Sequence, residues 1–250
     1  MSEFTVATLN LFNNMGEWER RAPLVIDQLE ALAPDVIGFQ EVDLNIDQGM
    51  WIVRQINQRL PKEGRYRIRH AASPGKYASV HGIATMSRLD AVEHVALDLM
   101  THERMAQRHI FDADGKQFVL VNTHLHHPPE DTAVRVQQLE YLLEWLDSDT
   151  RHLPTIVLGD FNSYIEEPAV SLMKSRFRSA HEAVHGQEPE KTWSTPVNTY
   201  DDSPHGTLDY IYVTDRFQIK DAGLAFNTPS PDDQDLYPSD HLGLFARLTL

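Results

Sequence analysis

Strand-like runs outnumber helical ones along this chain, and that imbalance narrows the folds open to it more than any other feature. Residues 4–11 alternate apolar and polar side chains as a half-buried strand does, and residues 36–39 form a short apolar run suited to a buried strand ending at Gln40-Glu41. Strands are expected again at residues 66–70, 82–87, 91–97, 155–158, 208–213, 219–226 and 242–250. Asp114-Gly115 reads as a hairpin turn between runs at 108–113 and 117–123. Helical spacing is confined to four stretches, at residues 18–32, 50–60, 132–146 and 168–173, the last opened by Pro168. In the third, Val136, Leu139, Leu143 and Leu146 share one face. Many strands and few long helices bury their apolar faces together in layers, which predicts an α/β fold of two packed sheets with helices outside.

No repeat, low-complexity tract or Gly/Ser-rich linker divides the 250 residues, so a single domain spanning 1–250 is expected. With 41% hydrophobic and 24% charged residues the chain has the composition of a soluble globular protein rather than a disordered one. No apolar run approaches the roughly 18 residues a membrane span needs. The first residues, Met1-Ser2-Glu3-Phe4-Thr5, lack a basic segment and an apolar core of the signal-peptide kind, and a cytoplasmic location is expected. The absence of cysteine removes thiol nucleophiles and zinc-thiolate sites. A formal charge of −15 sets up a field that repels polyanions, which disfavours a long nucleic-acid footprint, although a bound divalent cation inverts the potential locally.

One pattern recurs: a strand-like stretch delivers a carboxylate, carboxamide or imidazole at or near its end. Thr8-Leu9-Asn10, Gly38-Phe39-Gln40-Glu41, Val121-Asn122-Thr123-His124, Leu158-Gly159-Asp160-Phe161-Asn162, Leu208-Asp209-Tyr210 and Ser239-Asp240-His241 all fit it. Strand ends are where open sheets place their sites. Singly, each has a plain structural explanation: Glu41 as a solvated residue after a buried strand, Asp160 and Asn162 as an Asx turn, Asp209 and Asp240 as caps, His124 and His241 as surface imidazoles among 13. Six such segments in one chain are hard to explain as caps. Together they offer oxygen donors and imidazoles without thiolates. Glu41, Asn10 and Asp160 suit Mg²⁺ or Mn²⁺ better than zinc. Imidazoles beside carboxylates supply a base for water and a positive partner for a phosphoryl oxygen.

These segments resemble, in order and over nearly the whole chain, the endonuclease/exonuclease/phosphatase superfamily, most specifically at Phe39-Gln40-Glu41-Val42, Asn122-Thr123-His124-Leu125, Gly159-Asp160-Phe161-Asn162 and Ser239-Asp240-His241. The resemblance implies the DNase I-like fold, a four-layer sandwich of two mixed sheets flanked by helices. It also implies metal-dependent hydrolysis of a phosphate ester by in-line attack of water on phosphorus. By that resemblance Glu41 is the principal metal ligand, Asn10 holds the metal or its water, and Asp240 supports it. Asp160 orients or deprotonates the attacking water, and Asn162 bonds the phosphate as charge builds. Asp209 pairs with His241, while His124 donates to a phosphoryl or leaving oxygen.

The leading expectation is a phosphodiesterase or phosphatase acting on a small or lipid-derived phosphate ester. A nuclease using the same site stands second, and a non-catalytic binding module third. Arg104, His81, Tyr77, His126 and His127 border the expected centre with no assigned role. Asn122 is read as orienting its neighbours. Trp18, Trp51, Trp145 and Trp193 are read as core or rim, because no basic stripe interleaves with them. Asp232, Asp233 and Asp235 are read as a solvated loop, and Thr207 stands where many relatives carry a basic residue.

Overall fold

The computed structural model describes residues 3–78, 80–149, 152–199 and 204–250, the side chains of Tyr77 and Asp149 excepted. The reading of Met1 and Ser2 as lacking a leader, and any role for the Tyr77 side chain, therefore lie outside the described residues.

Two β-α-β units set the plan. In the first, β1 (Glu3–Asn10), α1 (Trp18–Leu32) and β2 (Val36–Asp43) follow one another, and β1 runs parallel to β2. In the second, β7 (Lys116–His124), α3 (Thr132–Asp149) and β8 (Thr155–Asp160) repeat the arrangement. Parallel neighbours need such a crossover, because a tight turn can join only antiparallel strands. The helix α1 forms because Trp18, Ala22, Val25, Ile26 and Leu29 recur at helical spacing and bury one face. It stops where Ala33 adopts a left-handed conformation and its N–H returns to the Leu29 carbonyl.

The other strands add on antiparallel. With β3 (Arg67–Ala72), β4 (His81–Ser87), β11 (Gln218–Ala225) and β12 (Gly243–Thr249), the first sheet has the order β11-β12-β1-β2-β4-β3. With β5 (Ala91–Asp98), β6 (Met105–Ala113), β9 (Arg178–Ser179) and β10 (Asp209–Val213), the second has the order β5-β6-β7-β8-β10-β9. The hairpin expected at Asp114-Gly115 joins β6 to β7, with Ala113 opposite Lys116.

Three apolar clusters separate four layers. One lies under α1 and α2 (Gln48–Arg59), where Val25, Leu29, Ile52 and Ile56 meet Leu9, Ile37 and Phe39 of the first sheet. A second lies between the sheets, with Val6, Leu120, Ile156, Leu158, Ile211 and Leu248 at its centre. The third lies under α3 and α4 (Pro168–Lys174), where Leu139, Leu143 and Met173 cover Val121, Val157 and Tyr212. This is the expected layered α/β architecture, two mixed six-stranded sheets with helices on the outer faces.

Residues 178–185 carry two elements that the periodicity did not foretell, β9 and the short helix α5 (Ala180–His185). Neither is long enough to display a period. The local chemistry was nevertheless present: Ser179 accepts the Glu182 N–H at 3.5 Å, and Gly186 ends the helix at φ 77°. No helix among the described residues is long and apolar enough to cross a membrane.

Candidate active site

The strand order carries the expected polar residues to a single rim. Asn10, His124 and Asp160 end β1, β7 and β8, the strands of the parallel pairs, and Glu41 lies late in β2. Asp209 begins β10, and His241 lies just before β12, which run antiparallel to β8 and β1 and so start at that same rim. Register makes this concrete, since Asp160 lies opposite His124 on one side and Asp209 on the other.

Glu41 reaches the cleft through a backbone irregularity. The pairing of β2 with β4 shifts register between Phe39 and Val42, and Glu41 takes φ 51°, a left-handed value unusual for a residue with a side chain. Such bulges re-aim a side chain that the regular pleat would send elsewhere. Asn10 joins the two halves of the site, its Nδ2 donating to Asp160 Oδ2 at 2.9 Å and to Glu41 Oε1 at 3.2 Å. The Asn10 carboxamide is itself fixed, because its Oδ1 accepts the Phe12 N–H at 2.9 Å. On the opposite strand, Gly159 sits at φ 139° against the Thr123 carbonyl, 2.0 Å from where a Cβ would fall, so only glycine lets β8 approach β7 there. Asn162 follows at φ 49°, its N–H bonded to Asp160 Oδ1 at 2.8 Å and its Nδ2 to the Leu125 carbonyl at 3.0 Å. The Asx turn is thus present, and it immobilises Asp160.

The two histidines are in opposite electrostatic situations. His241 Nδ1 lies 2.8 Å from Asp209 Oδ2 with both groups buried. Burial alone would lower the His241 pKa, but Asp209, Asp240 and Asp160 outweigh it and hold the imidazolium well above the usual histidine range. His124 is pushed well below that range by burial and by Arg104, whose Nη1 lies 3.0 Å from His124 Nδ1. The two shifts have opposite sign, so the surroundings favour the charged form of His241 and the neutral form of His124. Both approach the same carboxylate oxygen, Asp160 Oδ2, at 3.9 Å from His241 Nε2 and 3.5 Å from His124 Nε2. Burial and the Asp209 charge lift the Asp160 carboxyl to about 7, and burial likewise lifts Asp240 to about 6. Asp240 accepts hydrogen bonds from Asn198 at 3.2 Å and from Ser239 at 3.2 Å.

Other motif residues serve as the frame. Gln40 Nε2 donates across the sheets to Asn122 Oδ1 at 2.7 Å, and Asn122 Nδ2 bonds the carbonyls of Phe39 and Ala84. Beneath this network Gly38 allows close approach, since a Cβ there would stand 2.5 Å from Leu158 Cδ1 and 2.8 Å from Asn122 Cγ. Thr207 turns inward to the Pro189 carbonyl at 2.6 Å, so it is a structural residue. Sequence reasoning passed over Arg21. Fully buried, it donates to the carbonyls of Leu11, Asn13, Met15, Gly16 and Pro238, binding the loop after Asn10 to the loop before Asp240. Its place in register with Trp18, Val25 and Leu29 on the apolar face of α1 was the signal available.

Among the described residues, Asp160, Asp209 and His241 each bring a ligand atom within 4.8 Å of one another, a buried group that could bind a metal. This set differs from the expected Asn10, Glu41 and Asp240. Because His241 Nδ1 is already engaged by Asp209, the proximity is accounted for by that pair abutting Asp160.

The sequence profile of the Endonuclease/Exonuclease/phosphatase family matches residues 7–241. The chain belongs to this family. It is 27% identical over 256 residues to Nocturnin of Xenopus laevis, covering 91% of this chain and 64% of that protein. It is 22% identical over 299 residues to the CCR4-Not complex 3'-5'-exoribonuclease subunit Ccr4 of Saccharomyces cerevisiae, covering 92% of this chain and 35% of that protein. The chain spans only 57% to 64% of the length of the Nocturnin sequences it matches. The fold superposes on the human Nocturnin catalytic domain with bound sulfate anion at TM-score 0.78 and 23% identity, over 99% of this chain and 93% of that one.

In this family member the cleft has two lobes that meet at Glu41 and His127. The smaller, about 270 Å³, lies over Asp160, Asn162, Asp240 and His241 and is walled by Phe12, Met15, Tyr164 and Trp193. The larger, about 700 Å³, runs past His124 and is walled by Lys76, His81, His102, Arg104, His126 and His127. Trp193 is thus a rim residue, while Trp18 packs edge-on against Trp51 below α1 and α2. Asp232 and Asp235 lie exposed, and half-buried Asp233 pairs with Arg20 at 2.7 Å, a solvated loop as expected.

Proposed function

We propose that the chain is a divalent-metal-dependent phosphoesterase, one catalytic unit acting on a compact phosphate ester. The observation that carries this reading is the convergence on one cleft of Asn10, Glu41 and Asp160, joined by hydrogen bonds, with the hydrogen-bonded Asp209–His241 pair, whose His241 Nε2 lies 3.9 Å from Asp160 Oδ2. A cation fits the donor set. Burial first, and then the neighbouring charges of Asp209 and Glu41, raises the pKa values of Asp160 and Asp240, so a cation placed among these carboxylates would favour their ionised forms. Hard oxygen donors of this kind suit Mg²⁺ or Mn²⁺, with Glu41, Asn10 and Asp240 as the holders. When bound, the ion supplies positive charge to a phosphoryl oxygen.

The protein's own groups divide the remaining work. Asp160, immobilised by Asn10 and Asn162, orients water and takes its proton as the water attacks phosphorus. His241, kept cationic by Asp209, stabilises the charge that accumulates on the phosphoryl oxygens. Neutral His124 hydrogen-bonds to a phosphoryl or leaving oxygen from the other side, and Asn162 offers its second amide hydrogen. The apolar wall of Phe12, Met15, Tyr164 and Trp193 suits a leaving group with an unsaturated or hydrocarbon part.

Kinship with an exoribonuclease subunit supports a second reading, a nuclease with the same chemistry. A net charge of −15 and cavity-like lobes favour the small substrate. The deciding experiment measures turnover of bis(p-nitrophenyl) phosphate, p-nitrophenyl phosphate, and single- and double-stranded nucleic acid, with Mg²⁺, Mn²⁺ or EDTA. Metal-stimulated hydrolysis of the small esters is expected, and Glu41→Gln should reduce it by orders of magnitude. Faster, salt-sensitive cleavage of nucleic acid would move the assignment to a nuclease, and full activity in Glu41→Gln would refute the site.

A further inference from the structure

The first sheet sets β1, β2 and β12 side by side, yet each of the three metal holders stands at or past the regular pairing. Asn10 ends β1, Glu41 lies on the bulge of β2, and Asp240 lies in the loop before β12. Their spacing therefore depends on irregular backbone, residues 11–16 and 238–240, and both stretches meet at Arg21. Its Nη1 donates to the Leu11 carbonyl at 3.1 Å and to the Pro238 carbonyl at 2.6 Å. One nitrogen thus joins the residue after Asn10 to the residue two before Asp240. Nη2 donates to the Asn13 carbonyl at 3.3 Å and Nε to the Gly16 carbonyl at 2.8 Å. Leu11 and Pro238 are buried, so their carbonyls need a protein donor. Phe12 and Asn13 take left-handed φ values of 55° and 48°, which residues with a side chain resist, so the loop needs an outside hold. From the loop that hold passes to the site: the Phe12 N–H fixes Asn10 Oδ1 at 2.9 Å, and the Asn13 N–H bonds the Glu41 carbonyl at 3.0 Å. On the other stretch, Ser239 Oγ donates to the Asn10 carbonyl at 2.6 Å and accepts the His241 N–H at 3.2 Å. The guanidinium also faces the acidic side of the site, since burial lowers its pKa to about 10 while Asp240 and Glu41 oppose the shift.

Resting on the metal-dependent hydrolase reading, we infer that Arg21 is a positioning residue for the cation: by tying the 11–16 loop to Pro238 it holds Asn10, Glu41 and Asp240 at the spacing a cation needs. Two effects oppose each other. The charge of the guanidinium repels a cation, whereas the clamp spares the cation the cost of ordering its holders. Lysine separates them, because its compact ammonium keeps the charge but cannot reach the carbonyls of Leu11, Gly16 and Pro238 together as the planar fork does.

The test is isothermal titration with Mn²⁺ in the absence of substrate. Arg21→Lys should bind Mn²⁺ about tenfold more weakly than the native chain, the loss expected when a partner that orients metal ligands is removed. The Mn²⁺ concentration giving half-maximal hydrolysis of bis(p-nitrophenyl) phosphate should rise by the same factor. Leu143→Ala, which opens a cavity in the cluster under α3, should lower stability in urea and leave the Mn²⁺ affinity unchanged. Native affinity in Arg21→Lys, or equal weakening in Leu143→Ala, would overturn the inference. So would tighter Mn²⁺ binding by Arg21→Met, since the charge of Arg21 rather than its clamp would then govern the site. Weaker Mn²⁺ binding in Arg21→Lys, with no ester turned over by the native chain, would remove the hydrolase reading and leave the clamp standing. A native chain that binds no Mn²⁺ would end both.

Discussion

Replacing Asp160 by asparagine should make the metal-free protein more stable, and increasingly so as pH rises. In the fold the Asp160 carboxyl is lifted to about 7 from an ordinary 3.8 by burial and by Asp209. Its folded pKa lies above its unfolded one, so the folded state binds the extra proton, and stability contributed by that proton is lost as pH climbs toward the folded value. By pH 8 ionising Asp160 costs the fold about 4 kcal/mol more than it costs the unfolded chain, of which about 3 kcal/mol accrues between pH 5 and pH 8. Buried His109, held at about 3 by burial, contributes with the opposite sign over part of this range, but it is common to both proteins and cancels in their difference. An unfavourable contact between the new amide and the Asn10 Nδ2 would offset the stability gap by a constant without altering its slope. The assay is urea unfolding of both proteins in EDTA at pH 5, 6, 7 and 8. The stability of Asp160→Asn relative to the native chain should rise by about 3 kcal/mol across that range. In saturating Mg²⁺ the rise should largely vanish, because the bound cation favours the ionised carboxylate. A gap independent of pH, or one that metal leaves unchanged, would refute the electrostatic account of the site.

Asp209→Asn should lower kcat on the order of a thousandfold with little change in fold, because His241 loses the carboxylate that fixes its orientation and charge. Since that carboxylate raises the His241 pKa, residual activity should show its alkaline limb at lower pH than the native profile, and an unmoved limb would refute the pairing. Arg21→Met should cost about 3 kcal/mol or more in urea unfolding, since the carbonyls of Leu11, Asn13 and Pro238 lose a buried donor. Native stability in that variant would show that the loops hold their positions without the clamp.

Local pattern carried much of the fold. Alternation in β1, the three- and four-residue spacing of α1 and α3, and the Asp114-Gly115 turn each express a constraint acting within a few residues, so the elements were legible before any packing was known. The nearness of the eight expected residues to one another was legible for a related reason: each lies at, or within three residues of, a strand end on the same rim.

What the sequence could not separate was the job of adjacent residues within a motif. Gln40 and Glu41 are neighbours, yet Gln40 pins the two sheets through Asn122 while Glu41 reaches the cleft, and the division depends on a bulge set by the pairing of β2 with β4. Whether an imidazole is charged was equally beyond local pattern, since His124 and His241 differ by which partners, Arg104 or Asp209, the strand order brings beside them. The sequence by itself determined the elements, the oxygen- and nitrogen-rich donor set and the exclusion of thiol chemistry. Only the tertiary structure decided the neighbours of each charge, the Arg21 clamp and the two lobes of the cleft. Those depend on contacts between residues as much as 229 positions apart, like Ser239 and Asn10, and such contacts follow from strand order and register.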